Sequence, residues 1–142
     1  MNAPKNPFYD AVWKLNKGVF YRGESGKGGV GYGMMGKGVY VTWEKTMAKV
    51  FARMAAQQHG GTPIVKRYRL PKDIKLLDWD SPEMVKIRSM GGLNPFEKYG
   101  DPMVANVFTS LVKDKGYEGV VSDKAVEGIV VFDPAKLKEV KR

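Results

Sequence analysis

The chain has 142 residues, no cysteine and a formal net charge of +9 at pH 7, from 24 Lys and Arg against 15 Asp and Glu. A chain of this length is expected to fold as one domain, residues 1–142, burying roughly 70% of the surface its unfolded form exposes, so a core forms without staples. The missing thiols exclude disulfides, thiolate zinc sites and a cysteine nucleophile, no apolar run approaches the ~18 residues of a membrane span, and the positive excess favours phosphate-rich or acidic partners.

Met1 to Pro7 is polar and proline-containing, unlike a signal peptide, and a cytoplasmic monomer without membrane contact is expected. Asn6-Pro7 can cap and start a helix in which Phe8, Ala11, Val12 and Leu15 form one apolar face, stopped by Lys17-Gly18. Val19-Phe20-Tyr21 then reads as a short strand delivering Arg22-Gly23-Glu24-Ser25 at its end. A glycine-rich connection leads to a strand from Gly38 to Val41. Thr42 stands where a helix cap is wanted, before Met47, Val50, Phe51, Met54 and Ala55 at helical spacing.

That helix should stop near His59, because Gly60-Gly61 and Pro63 follow; His59 reads as a structural residue at a helix end. Ile64, Lys66, Tyr68 and Leu70 alternate as a strand ended by Pro71, Ile74 to Leu77 suggests another, Ser81-Pro82 can open a short helix, and Gly91 to Pro95 reads as a loop. Asp101 as cap and Pro102 in the first turn announce the clearest helix, with Val104, Val107, Phe108, Leu111 and Val112 on one stripe and Gly116 at its close. Strands from Gly119 to Ser122 and Glu127 to Phe132 follow, and Asp133-Pro134 turns the chain into a basic tail. Strand pairs this close in sequence, with helices at both ends, predict an α+β domain with mostly antiparallel sheets.

The glycine-rich stretch nearly spells two nucleotide motifs. Gly31 to Lys37 fills the first seven positions of a P-loop, but Gly38 replaces the hydroxyl that would hold magnesium. The same glycines read G-x-G-x-x-G, yet they enter the strand Val39-Tyr40-Val41 and open no helix. Basic runs such as Lys66-Arg67-Tyr68-Arg69 could touch nucleic acid, and a solvated strand face explains them as well. Met34-Met35 is an apolar pair in a glycine loop, able to cover a ligand or clamp a partner.

One polar group stands out on each of three strands: Arg22, Tyr40 and Glu127. Glu127 precedes an almost wholly apolar run, and a carboxylate beside low-dielectric core needs a partner or a purpose. On residue type alone Arg22 could pair with Glu24, Tyr40 could be core, and Glu127 could begin an exposed strand end.

Together these segments resemble the ADP-ribosyltransferase superfamily. Gly36-Lys37-Gly38-Val39-Tyr40-Val41-Thr42, followed by Thr46, Ala48, Lys49 and Phe51, resembles the strand and helix of the poly(ADP-ribose) polymerase and diphtheria-toxin branch. Arg22-Gly23 stands where that branch has His-Gly, Glu127 to Phe132 resembles its terminal Glu-x-Ile-Val strand, and Gly116 to Val121 the junction before it. The resemblance implies a fold of two packed, mostly antiparallel sheets with flanking helices. It implies cleavage of NAD+, as co-substrate and without a metal, at the nicotinamide glycosidic bond, with ADP-ribose passing to an acceptor.

By the same resemblance Glu127 would stabilise the oxocarbenium-like ribose, Tyr40 would stack on nicotinamide, and the Gly23 backbone would hold the carboxamide. Arg22 would anchor ribose or pyrophosphate, with Ser25 and Thr42 as minor contacts. Arg22, Tyr40 and Glu127 mix the features of two branches. Ala125, two residues before Glu127, differs from the Glu or Gln usual in arginine-modifying members, which disfavours protein arginine as acceptor. A protein or nucleic acid acceptor is expected; an inactive module binding nucleic acid or an acidic protein, and transfer to a small molecule such as an antibiotic, are the alternatives.

Overall fold

The computed structural model describes residues 6–25, 31–33, 35–89, 101–124 and 128–141. The fold is α+β, with two mostly antiparallel sheets and, among the described residues, four α-helices. In chain order these are α1 (Pro7–Asn16), β1 (Val19–Glu24), β2 (Gly31–Gly33), β3 (Gly36–Val41), α2 (Lys45–His59), β4 (Ile64–Arg69), β5 (Leu76–Asp78), α3 (Pro82–Arg88), α4 (Pro102–Asp114), β6 (Gly119–Val121), β7 (Ile129–Val131) and β8 (Lys138–Glu139). The smaller sheet has the order β1-β4-β8 and the larger β2-β3-β7-β6-β5, all neighbours being antiparallel except β5 and β6.

The helix starts follow the capping chemistry. Asn6 accepts from the Tyr9 amide, Ser81 from Met84, and Asp101 from Met103 and Val104, each with proline in the first turn. Alternation along the central strands splits the core into two layers. Leu76, Val121, Ile129, Val131, Val39 and Val41 turn toward Phe20 of the smaller sheet and Tyr9 and Val12 of α1. Leu77, Val120, Val130 and Tyr40 turn the other way, toward α3 and α4.

Several expected faces are rotated. In α2 the buried residues are Ala48 and Ala52, while Met54 of the expected apolar stripe is 46% exposed. Small side chains let this helix lie directly on β1, where a Cβ at Gly23 would overlap the Ala48 carbonyl. In α1 Tyr9 takes the place expected for Leu15, which is 81% exposed, because the Tyr9 hydroxyl donates to the Pro71 carbonyl at 2.7 Å and so can be buried. In α4 Val107 faces outward and Thr109 inward, where its hydroxyl accepts from the Lys37 amide at 2.9 Å.

The cap expected at Thr42 is displaced too. Thr42 still belongs to the sheet, bridging Tyr21, and α2 begins only at Lys45 after Glu44, whose side chain makes no capping bond. Met35 is core, packed beside Tyr40 and Phe108, so it does not cover a ligand, while Met34 lies outside the described residues.

Candidate functional site

Three strands converge where the two sheets meet. Tyr21 of β1 and Thr42, just past β3, exchange reciprocal backbone hydrogen bonds of 2.8 Å. On the other side of β3, Val41 bridges Gly128, the residue that leads into β7. Topology therefore brings Arg22, Gly23, Thr42 and Gly128 to one edge of the fold. Glu127, immediately before Gly128 in sequence, lies outside the described residues.

Gly128 has φ of 39°, and a Cβ there would strike the Trp43 ring. Trp43 is itself fixed: its ring meets Phe8 edge-on at 5.2 Å and its carbonyl accepts from Asn16 Nδ2 at 2.7 Å. Helix α1 thus braces the turn after β3 against the start of β7.

Alternation sorts the residues of β1. Phe20, Arg22 and Glu24 share one face, and Tyr21 and Gly23 the other, beneath α2. Leu70 donates to the Gly18 carbonyl and Val140 to that of Arg67, so Tyr21 and Arg67 oppose each other as a non-hydrogen-bonded pair. Tyr21 accordingly turns its amide and carbonyl away from β4, to Thr42. By the same period Gly23 turns its own amide and carbonyl toward that edge of β1.

The Arg22 guanidinium donates from Nη1 to the Tyr40 carbonyl at 2.9 Å and from Nε to Glu24 Oε2 at 3.3 Å. Lys66, opposite Arg22 on β4, places Nζ 3.1 Å from Glu24 Oε1. Glu24 is 5% exposed, so one buried carboxylate sits beneath two cations. The hydrogen bond and charge interaction with Glu24 raise the Lys66 ammonium above its ordinary pKa. The sequence offered Glu24 as a possible partner of Arg22 and Lys66 as part of a basic run; the Lys66–Glu24 contact across the β1–β4 ladder becomes visible only once its register is known. The pairing of Arg22 with Glu24 is the one that residue type had allowed.

Tyr40 is placed differently from its expected role. Its ring packs in the helix-facing layer with Met35, Phe108 and Val130, and its hydroxyl accepts from the Met35 amide at 3.0 Å and donates to the Gly36 carbonyl. Alternation requires this, since Val39 and Val41 take the opposite face. Tyr40 meets Arg22 through its carbonyl. Ser25 and Thr42 are both buried, and the Thr42 hydroxyl accepts from the Glu44 amide at 3.2 Å.

Among the described residues no three His, Asp or Glu side chains gather as a metal would need. No helix there is long and apolar enough to cross a membrane.

Among solved structures, the chain is similar to a chain of the crystal structure of the M. tuberculosis MbcT-MbcA toxin-antitoxin complex. Sequence identity is 16% and the TM-score 0.49, over 96% of this chain and 91% of that one. No protein-family model matches the chain, and no curated protein matches it.

Proposed function

We propose that the protein cleaves NAD+ between nicotinamide and ribose and transfers ADP-ribose to a macromolecular acceptor, protein or nucleic acid. The observation that carries this reading is the meeting of Arg22, the outward-turned backbone of Gly23, and the Val41–Gly128 bridge at one edge. The motif fragments in the sequence are drawn from those same strands.

In this mechanism Gly23 offers the nicotinamide carboxamide an amide donor and a carbonyl acceptor two residues beyond the Tyr21–Thr42 pair. Arg22 holds a phosphate or ribose oxygen by charge-assisted hydrogen bonds, its fork aimed by Glu24 and the Tyr40 carbonyl. The C–N bond breaks with its electron pair leaving on neutral nicotinamide, and positive charge develops on the ribose as in glycoside hydrolysis. Glu127 stabilises that cation and takes the proton that the acceptor loses as its nucleophile bonds to the ribose carbon. Tyr40 enters through the carbonyl that fixes Arg22; stacking on nicotinamide would require its ring to leave the core. Ser25 and Thr42 border the site.

The test is incubation of the purified protein with NAD+ and a lysate, following nicotinamide release and identifying by mass the molecules that gain an ADP-ribosyl unit. The expected result is release that falls by at least ~100-fold in Glu127→Ala. Undiminished release in that variant, or none from the parent protein in the presence of the lysate, overturns the reading.

A further inference from the structure

Helix α2 has no acidic residue among its 15 positions but carries Lys45, Lys49 and Arg53. These recur at i, i+4 and i+8, so they form one exposed row that advances about 6 Å per step. The helix runs alongside β1 in the same direction, from the Tyr21–Thr42 pair to Gly61 against the Ser25 carbonyl. Its right-handed turn therefore carries Lys49, next after buried Ala48, and Arg53, next after buried Ala52, to the side of β4.

Strand β4 continues this positive surface. Gly23 lies beneath α2 and shares its face of β1 with Tyr21, and Tyr21 opposes Arg67, so Arg67 and Arg69 stand on the α2 face of the smaller sheet. Lys138 of β8 opposes Arg69 on that face. The acids of this sheet, Glu24 and Glu139, alternate to the other face with Lys66 and Tyr68. Between Ser25 and Lys72 the sequence has a single acid, Glu44, which pairs with none of these cations. Among the described residues Lys45, Lys49, Arg53, Arg67, Arg69 and Lys138 contact no carboxylate, and Arg69 donates to the Lys17 carbonyl at 3.2 Å. The pleat has gathered one sign of charge on one side.

A row of cations on rigid elements suits a polyanion whose charges repeat, and a phosphate backbone is such a polymer. A protein partner calls for aromatic or methionine anchors at the centre of the contact, where lysine is depleted. This flank of α2, formed by Lys45, Lys49, Arg53 and Ala56, carries none.

We propose that the basic flank of α2 and the adjoining face of β4 and β8 form a nucleic-acid surface that holds a strand by its phosphates. That this strand is also the acceptor of ADP-ribose rests on the function proposed above, because α2 lies over Gly23; the surface itself is tested by binding alone. The probe is a fluorescein-labelled, mixed-sequence DNA strand of about 20 bases, titrated by anisotropy between about 50 and 200 mM salt.

Five or six phosphate contacts predict a slope of about −4 in log K against log salt. Replacing Lys45, Lys49 and Arg53 together by glutamine should make that slope shallower by about 2 and weaken binding at the lower salt by at least ~30-fold. The same charge change at the exposed Lys86, Lys113 and Lys115, on α3 and the end of α4, should weaken it less than about threefold. Combining Lys45→Arg, Lys49→Arg and Arg53→Lys should keep binding within about threefold, which separates loss of charge from loss of fold. If the parent fails to bind, or the α3–α4 variant loses as much as the α2 variant, the surface is wrong. Polyglutamate competing as well as unlabelled DNA also overturns it, in favour of an acidic protein. Binding that depends on the α2 cations in a protein that never consumes NAD+ leaves the surface standing and removes the transferase reading. NAD+ consumption without DNA binding does the reverse.

Discussion

Gly23 lies so close beneath Ala48 that a methyl group at position 23 would overlap the Ala48 carbonyl and crowd the Ala52 amide. Both obstacles are backbone, which no side-chain rotation relieves. Gly23→Ala should therefore lift α2 from β1 and cost about 2–3 kcal/mol, read as a lower urea midpoint. A variant as stable as the parent would show that the helix does not ride this low.

Tyr40→Phe separates the phenol's structural work from any contact with substrate. The substitution strips a partner from the Met35 amide and the Gly36 carbonyl, both within the core-facing hairpin, and should cost about 1–3 kcal/mol. Because Tyr40 approaches Arg22 by its carbonyl, KM for NAD+ should move less than about threefold. A large rise in KM at unchanged stability would place the hydroxyl on the ligand.

Glu24→Gln leaves Arg22 and Lys66 opposed across the ladder without the Glu24 carboxylate that contacts both. Breaking a fully buried pair costs about 3–5 kcal/mol, and the solvent that reaches both cations reduces this to about 1–3 kcal/mol. Denaturant melts should show that loss, partly restored by raised salt, which screens the remaining repulsion.

At alkaline pH Tyr117 and Tyr9 should ionise late. Burial, then the hydrogen bond to Glu83, pushes Tyr117 up to about 12, and burial with the Asp73 charge raises Tyr9 further. The fold prefers both phenols neutral, so their contribution is complete below the ordinary value of 10.0 and is lost as pH climbs through their raised folded values, about 12 for Tyr117 and higher for Tyr9. Ultraviolet titration of phenolate should show a late fraction that appears together with unfolding, and Tyr117→Phe should shrink it.

The sequence announced elements best where side chains act on their own backbone. Asn6-Pro7, Ser81-Pro82 and Asp101-Pro102 locate helix starts because caps are local chemistry. The strand Gly31–Gly33 was missed, since a glycine run has no alternating side chains to read and is ordered by pairing with Gly36–Gly38. β1 runs three residues past its expected end because cross-strand partners, Lys66 above all, accommodate Arg22 and Glu24 inside a ladder. β8, in the basic tail, likewise exists only through its pairing with β4.

The buried face of α2 was misjudged for a related reason. Apolar periodicity favours large side chains, whereas close approach to Gly23 selects Ala48 and Ala52. Arg22 was legible as a candidate from its motif; its orientation was not, since that depends on Glu24 and on the carbonyl of a residue 18 positions away.

The reciprocal pair between Tyr21 and Thr42 is a narrow weld between two broad plates. Each plate is stiffened by its own ladder, so torsional compliance gathers at the weld, with the Arg22–Tyr40 strut beside it as a stay. A molecule bridging the plates would damp that twist, and the slowing of amide exchange at residues 21 and 42 would register its arrival before any chemistry occurs.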